Sequence, residues 1–581
     1  MLSASIGESE DRLFREPTWS WRRVGDVWWW IRREWTGTIL GHDGPKLDEW
    51  RRQGRLTTVK SGLFRMVYRA DLDQGSIYIK HYLVPGPRAK LRQWVRRGKG
   101  RNESKRARAL ARVGVPTFEP IALGEQRRNG VLFENYLITR AIEDSTPLDR
   151  FVEANVAQAP PAEATRVRRS LARALGRMTA KLHDAGFLHR DFHPGNVLVQ
   201  TGADGEPILS LVDLDALRLR KKLGRSDVIE NLALLNHFFW IRGERTDRHR
   251  FMLAYLGARK SVIVDHKDLA RSVERSTRAW AERLWNRWGE RCKKTSRYFI
   301  ARRSGRVRAL AARDLDAQSL EEMMSDPDRP FRDPAAVILK DSRTTTVAVT
   351  TVNVRGVPVR VVYKRFNRRQ RLELVFNVFR PDRGMRAWRA GQHLASRGVP
   401  TPRNLAYLAK TGPLGVPRET YVITVMTESA RTLTDYRLGE LGSLAPDRRR
   451  AAIRNVTIEL ARLVRSMHER SLSHRDLKGA NILLEGNPAE GSAIKLSLID
   501  LSGVRKAHPL PLDRRLQNLT RLHLSLAEVE GRTRTDSLRF LREYLPWSST
   551  PRDVWKEIWR AIDSRAGLKV ERNRRSGRPL S

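Results

Sequence analysis

The chain has 581 residues, with 111 Lys+Arg against 65 Asp+Glu and a formal net charge of +46. Hydrophobic residues at 40% suffice for packed cores and exclude a wholly disordered basic tail; the single cysteine, Cys292, excludes an intrachain disulfide framework and a multi-cysteine zinc cluster. So large a charge suits an anionic partner such as nucleic acid, acidic lipid head groups or a phosphorylated glycolipid, or reflects a compositional habit of writing arginine throughout.

The N-terminus carries Glu8, Glu10 and Asp11 without an apolar core, unlike a secretory signal, and no run approaches the ~18 apolar residues that span a bilayer. Residues 1–54 form a Trp/Arg-rich segment in which Trp19, Trp21, Trp28, Trp29, Trp30 and Trp35 are mixed with Arg22, Arg23, Arg32 and Arg33. The mixture fits a membrane interface, and equally an N-terminal helix whose indoles fill a core. Alternating apolar residues then predict strands over 64–69 and 76–82. The basic stretch 88–108 reads as a solvated helix face or as a surface that steers a phosphorylated glycolipid. A helix stops near Gly114, a strand pair ends at Thr139, and a long helix covers 164–183. The same order returns later, with strands over 346–354 and 357–363, a helix stop near Gly398, a strand pair ending at Thr424 and a helix over 448–468.

The return is a repeat. Gly114-Val115-Pro116-Thr117 reappears as Gly398-Val399-Pro400-Thr401, Tyr136-Leu137-Ile138-Thr139 as Tyr421-Val422-Ile423-Thr424, and His189-Arg190-Asp191 as His474-Arg475-Asp476. A fourth match pairs Arg245-Thr246-Asp247 with Arg534-Thr535-Asp536. A nearly constant offset of roughly 285 residues means a duplicated domain rather than a solenoid. The expected division is the segment 1–54, domain one over 55–300, a linker over 301–335 and domain two over 336–575. The linker includes Ser325-Asp326-Pro327-Asp328-Arg329-Pro330, a loop composition.

Each copy carries one chemical constellation. His189-Arg190-Asp191 is followed by Asn196 and, after an apolar run, by Asp213; His474-Arg475-Asp476 is followed by Asn481 and Asp500. Phosphoryl transfer explains this spacing: one Asp takes the acceptor hydroxyl's proton, while an Asn five residues on and an Asp after a following strand hold Mg²⁺ on the phosphates. Upstream, Lys80 and Lys364 each lie on a predicted strand, where a lysine can pair nucleotide phosphates when a helix Glu steadies it.

On these residues the sequence resembles the protein-kinase-like superfamily, and within it most closely the bacterial lipopolysaccharide kinase (Kdo/WaaP) family. Gly-Val-Pro-Thr after the first helix, His-Arg-Asp with Asn five on, Val212-Asp213-Leu214-Asp215 or Ile499-Asp500-Leu501-Ser502, and the stretches beginning Asn231-Leu232 and Asn518-Leu519 carry the resemblance. It implies an α+β fold, two tandem bilobal domains, each a β-rich N-lobe over a helical C-lobe. It implies Asp191 and Asp476 as catalytic bases, Asn196, Asp213, Asn481 and Asp500 as Mg²⁺ ligands, and Lys80, Glu103 and Lys364 at the ATP phosphates. It places adenine near residues 140–143 and 425–428. The expected activity is ATP- and Mg²⁺-dependent phosphorylation of a hydroxyl on an envelope glycolipid sugar, in the cytoplasm, with peripheral contact at the inner membrane face. A Ser/Thr protein kinase, suggested by Lys478 after Asp476, and a kinase-like scaffold binding nucleotide or a partner are the alternatives. Nucleic-acid binding rests on charge alone and ranks last.

Three departures qualify the resemblance. Glu103 lies eleven residues before Gly114, and the same spacing before Gly398 reaches Ala387, so the second copy lacks its Glu; Glu373 substitutes only if that helix is shifted. Neither copy has a convincing Gly-rich loop, with only Gly62 in the first and Gly356 in the second. Two residues after the catalytic Asp, the first copy has His193 and the second Lys478.

Overall fold

The computed structural model describes residues 17–62, 64–83, 98–128, 131–156, 159–260, 265–367, 381–412, 415–490, 494–527, 529–545 and 552–577. The chain divides into two compact units, Met1–Ala281 and Glu282–Ser581. Glu373 and residues 88–97 of the basic stretch lie outside the described residues.

Unit one begins with strands β1 (Trp19–Val24) and β2 (Val27–Arg32), followed by β3 (Leu56–Lys60), β4 (Arg65–Ala70) and β5 (Ile77–Leu83). Helix α1 (Lys99–Arg112) precedes β6 (Pro120–Arg128) and β7 (Val131–Arg140), and helix α2 (Pro161–Asp184) opens the helical lobe. The strands make one sheet in the order β1-β2-β6-β7-β5-β4-β3, every neighbour antiparallel. Period-two alternation along β5 buries Ile77 and Ile79 on one face and turns Lys80 and Tyr82 to the other. Along α1, Gly100, Glu103, Ser104, Ala107 and Leu110 make the buried stripe that period 3.6 dictates.

Unit two repeats the plan. Strands β8 (Phe299–Ser304), β9 (Val307–Ala312), β10 (Val337–Ser342), β11 (Thr345–Val354) and β12 (Val357–Phe366) precede helix α3 (Arg383–Ser396). Strands β13 (Asn404–Thr411) and β14 (Pro417–Val425) and helix α4 (Pro446–Glu469) follow. Sheet order is β8-β9-β13-β14-β12-β11-β10, again antiparallel throughout. Both long helices α2 and α4 start with proline, whose missing N–H costs nothing in a first turn.

Two boundaries differ from the sequence reading. The stretch 301–335, expected as a linker, contains most of β8, all of β9 and the helix Ala317–Ser325, whose Leu320, Met323 and Met324 enter the sheet core. The Trp/Arg-rich segment is likewise the hairpin β1–β2, sheet rather than helix. Arginines along the strands and a Gly at each hairpin tip obscured the strand alternation in both segments. Sheet pairing needs only alternate residues to be apolar, and Trp29 and Ile31 or Ala309 and Ala311 supply that inward face. The repeated unit therefore starts with a hairpin in both halves.

Candidate active sites in the two clefts

In each unit the long helix runs into a short strand carrying the His of His-Arg-Asp, Phe187–His189 or Leu472–His474, paired with Leu217–Leu219 or Val504–Lys506. The loop so formed is held by its own polar groups. His189 Nδ1 accepts from the Asp191 backbone N–H at 3.3 Å, and its Nε2 lies 3.2 Å from the Asp213 carbonyl. Since Nδ1 accepts, the ring proton sits on Nε2 and donates to that carbonyl. His474 repeats this with the Asp476 N–H at 3.2 Å and the Ile499 carbonyl at 3.1 Å. Burial pushes both imidazoles below the usual range, which keeps them neutral and suited to this pattern.

The amides of Asn196 and Asn481 donate to the Asp191 and Asp476 carbonyls at 2.8 Å each. Their backbone carbonyls accept from Val212 at 2.9 Å and Ile499 at 3.0 Å, the residues just before Asp213 and Asp500. Asp213 and Asp500 both take the left-handed backbone, φ 55° and 54°, which aspartate tolerates better than most residues. Loop Asp, Asn and the later Asp, spread over more than twenty positions, thus become neighbours through one hydrogen-bonded frame.

Beneath that frame, His183 bridges Tyr255 Oη at 2.9 Å and Asn231 Oδ1 at 3.1 Å, and Asn231 donates to the His189 carbonyl at 2.7 Å. His468, Tyr544 and Asn518 repeat the bridge at 2.8 and 3.0 Å. Burial lowers both histidines to about 4. The Asn-Leu stretches recognised in the sequence owe their asparagines to this support.

The residues above the frame separate the units. In unit one Lys80 Nζ lies 2.5 Å from Glu103 Oε2, and Glu103 is 0% exposed. Tyr82, on the same face of β5, donates to the other oxygen of Glu103. Burial and then Glu103 push that phenol well above its ordinary range, so it remains a donor. Arg65 on β4 reaches Asp213 Oδ1 at 3.5 Å. Arg65 and Tyr82 escaped the sequence reading; the signal was their placement on strands beside Lys80.

In unit two, α3 carries Ala387 at the Glu103 position and Phe366 occupies the Tyr82 position. Lys364, without a carboxylate on the helix, pairs directly with Asp500 at 2.7 Å. Burial pushes the Asp500 carboxyl up, but Lys364 outweighs it and holds the group below the usual range. His193 Nε2 and Lys478 Nζ lie equally far, 3.6 Å, from the carboxylates of Asp191 and Asp476. Gly62 lies between β3 and β4, whereas Gly356 lies in the β11–β12 turn, so the corresponding β10–β11 turn, Arg343-Thr344, has no glycine.

Of the six indoles over 19–35, Trp19, Trp29 and Trp35 are buried, while Trp21 and Trp28 remain 65% and 38% exposed. No helix among the described residues is long and apolar enough to cross a membrane.

The model of the Lipopolysaccharide kinase (Kdo/WaaP) family matches twice, over residues 49–255 and 339–544, and the chain belongs to that family. It is similar to the lipopolysaccharide core heptose(I) kinase WaaP of Escherichia coli K12, 30% identical over 161 residues, covering 26% of this chain and 56% of that protein. The Pseudomonas aeruginosa WaaP is 27% identical over 195 residues, covering 32% of this chain and 69% of that protein. A 3-deoxy-D-manno-octulosonic acid kinase of Haemophilus influenzae is 26% identical over 157 residues, covering 27% and 59%. The chain thus spans between 56% and 69% of the length of these relatives. Among solved structures, WaaP in complex with acyl carrier protein covers 44% of this chain and 97% of its own, with 21% identity and a TM-score of 0.33.

Proposed function

We propose that this chain is an ATP- and Mg²⁺-dependent phosphotransferase whose acceptor is a hydroxyl on a sugar of lipopolysaccharide or a related envelope glycolipid. Unit one is its principal catalytic cleft. The observation that carries the reading is the complete set there: Lys80 braced by buried Glu103, with Asp191, Asn196 and Asp213 held in one frame. Family membership supports a sugar acceptor rather than a protein one. Use of ATP puts the reaction on the cytoplasmic side.

The donor set fits the expected cation. Asn196 spends its amide N–H on the Asp191 carbonyl and keeps Oδ1 available, and Asp213 offers a carboxylate; a hard cation takes such oxygens and completes its shell with phosphates. Among the described residues no cluster of three or more His, Cys, Asp or Glu side chains forms a protein-only cage. When bound, Mg²⁺ would neutralise charge on the transferring group. Lys80 would orient the nucleotide phosphates, with Glu103, itself held by Tyr82, fixing its ammonium in place. Asp191 would accept the acceptor's proton, and His193 Nε2–H, facing that carboxylate, would orient it. In unit two Asp476 and Lys478 would play the equivalent parts, but Lys364 must first leave Asp500.

The test is phosphate transfer by Asp191→Asn, Asp476→Asn and the double variant, using labelled ATP and lipopolysaccharide core acceptors. Asp191→Asn is expected to lower turnover about 1,000-fold and Asp476→Asn to leave it almost unchanged. A double variant as fast as wild type would sink the assignment, and equal losses in the single variants would sink the ranking of the clefts.

A further inference from the structure

Outside the cleft, unit two contains a cavity of about 540 Å³ between the N-terminal part of β13, helix α3 and the hairpin β8–β9. That volume falls within the ~300–1,000 Å³ of small-molecule sites. None of its lining residues is Lys364, Asp476, Asn481 or Asp500.

Its wall is strongly cationic. Arg297, Arg313, Arg355 and Arg403 line it against one carboxylate, Asp314. Asp314 is already engaged by Arg403 at 2.5 Å and by Arg355 at 3.5 Å. The net positive charge left over calls for an anion, and guanidinium groups suit phosphate. Two neutral groups on the same wall add a second requirement. Asn404 is only 5% exposed; its Nδ2 donates to the Trp388 carbonyl at 3.1 Å, but its Oδ1 is buried without a partner. The indole N–H of Trp288 is also buried without a partner. A hydroxyl both donates and accepts, so it suits either group.

Unit one has different residues at the same place. Strand register equates Pro120 with Asn404, since they pair with Thr139 and Thr424, and Trp19 with Phe299, since they pair with Arg32 and Ala312. There Arg108, at the position of Gln392, lies over the Trp19 ring at 5.0 Å. Glu119, at the position of Arg403, pairs with Arg32 at 2.5 Å. Proline replaces the asparagine whose oxygen is open in unit two. One copy of the repeat thus carries an arginine–indole contact and an arginine–glutamate pair where the other has a basic cavity.

We propose that this cavity of unit two is a binding site for a phosphate monoester carried on a polyol, the phosphate meeting the arginines and the polyol lying against Asn404 and Trp288. The test is calorimetric titration of the full chain with glucose 1-phosphate, with both clefts saturated by Mg²⁺ and a non-hydrolysable ATP analogue. In parallel, phosphatidylinositol 4-phosphate is presented in phosphatidylcholine vesicles, which separates a free ester from a lipid-borne one. Binding to one of the two is expected, weakened about tenfold or more by the exposed charge reversal R313E/R355E. Gln392→Arg, which imports unit one's arginine, is expected to weaken it similarly while thermal melting remains cooperative. Binding of neither probe overturns the proposal, as does binding that both variants leave unchanged. Equal affinity for orthophosphate would mean an adventitious ion only, and equal affinity for glucose would remove the phosphate from the claim.

Discussion

Lys80 and Lys364 occupy the same position on the same strand of a duplicated fold, yet they hold different partners. Lys80 pairs with Glu103 on the helix, which leaves Asp213 to Arg65; Lys364, with Ala387 at the equivalent helix position, pairs with Asp500. One missing carboxylate thus leaves the lysine to pair with the aspartate proposed above as a metal ligand. A catalytic constellation is therefore not read from its motif residues alone, because the resting partner of each charge decides what it is free to do. The comparison extends to packing. Trp29 in β2 rests on Gly124, where a Cβ would come within 2.8 Å of the indole; in unit two the paired positions are Ala309 and Leu408. The volume is conserved across the sheet while its owner changes strand.

The largest effect should come from breaking that exchange. Trp29→Ala is expected to cost unit one about 4 kcal/mol, because it leaves a cavity over a glycine. Adding Gly124→Leu reproduces the unit two pairing and should recover about half of it. Urea unfolding of the two variants measures this; additive destabilisation would show that the two sheets do not share one packing solution.

Next is the helix carboxylate. Glu103→Gln should lower turnover about 100-fold, equivalent to about 3 kcal/mol, by releasing Lys80 from its brace. In an Asp191→Asn background, Ala387→Glu should draw Lys364 off Asp500 and raise the remaining turnover about tenfold, at some cost in melting temperature because Ala387 is packed. Unchanged turnover in both variants would mean that the lysine's partner does not govern the clefts.

The smallest effect concerns what the halves share. His183 and His468, lowered to about 4 by burial, are neutral when folded but titrate near 6.5 when unfolded. Between those values the unfolded chain binds more protons, so stability is full above about pH 6.5 and falls as the solution is acidified towards 4. At pH 5 each histidine should remove about 2 kcal/mol. Melting at pH 7 and pH 5 should show both units losing stability together; a pH-independent melting temperature would contradict the buried neutral assignment.

Much of the site was legible in the chain. The two His-Arg-Asp loops, their Asn and later Asp, and the lysines lie at spacings set by local geometry: a loop, a short strand and a return strand. The absence of a helix Glu in the second copy was also legible, because the Gly-Val-Pro-Thr anchor fixes the count back to Ala387. The partner of Lys364 was not, since its contact with Asp500 spans 136 positions and depends on the sheet and the loop below it. Arg65 and Tyr82 were hidden for the same reason. They matter through the face on which a strand presents them.

By itself, the sequence determined that the chain is one unit used twice, which residues are candidates for phosphoryl chemistry, and that one helix lacks the other's carboxylate. These follow from motif spacing and repeat order, which need no third dimension. Tertiary structure alone decided that the hairpins at 19–32 and 299–312 are edges of the two sheets, that Lys364 rests on Asp500, and that the second unit has a basic cavity beside its hairpin. Hydrogen-bonded pairing, burial and charge balance join residues far apart along the chain, and their outcome turns on volumes and distances that residue order does not state.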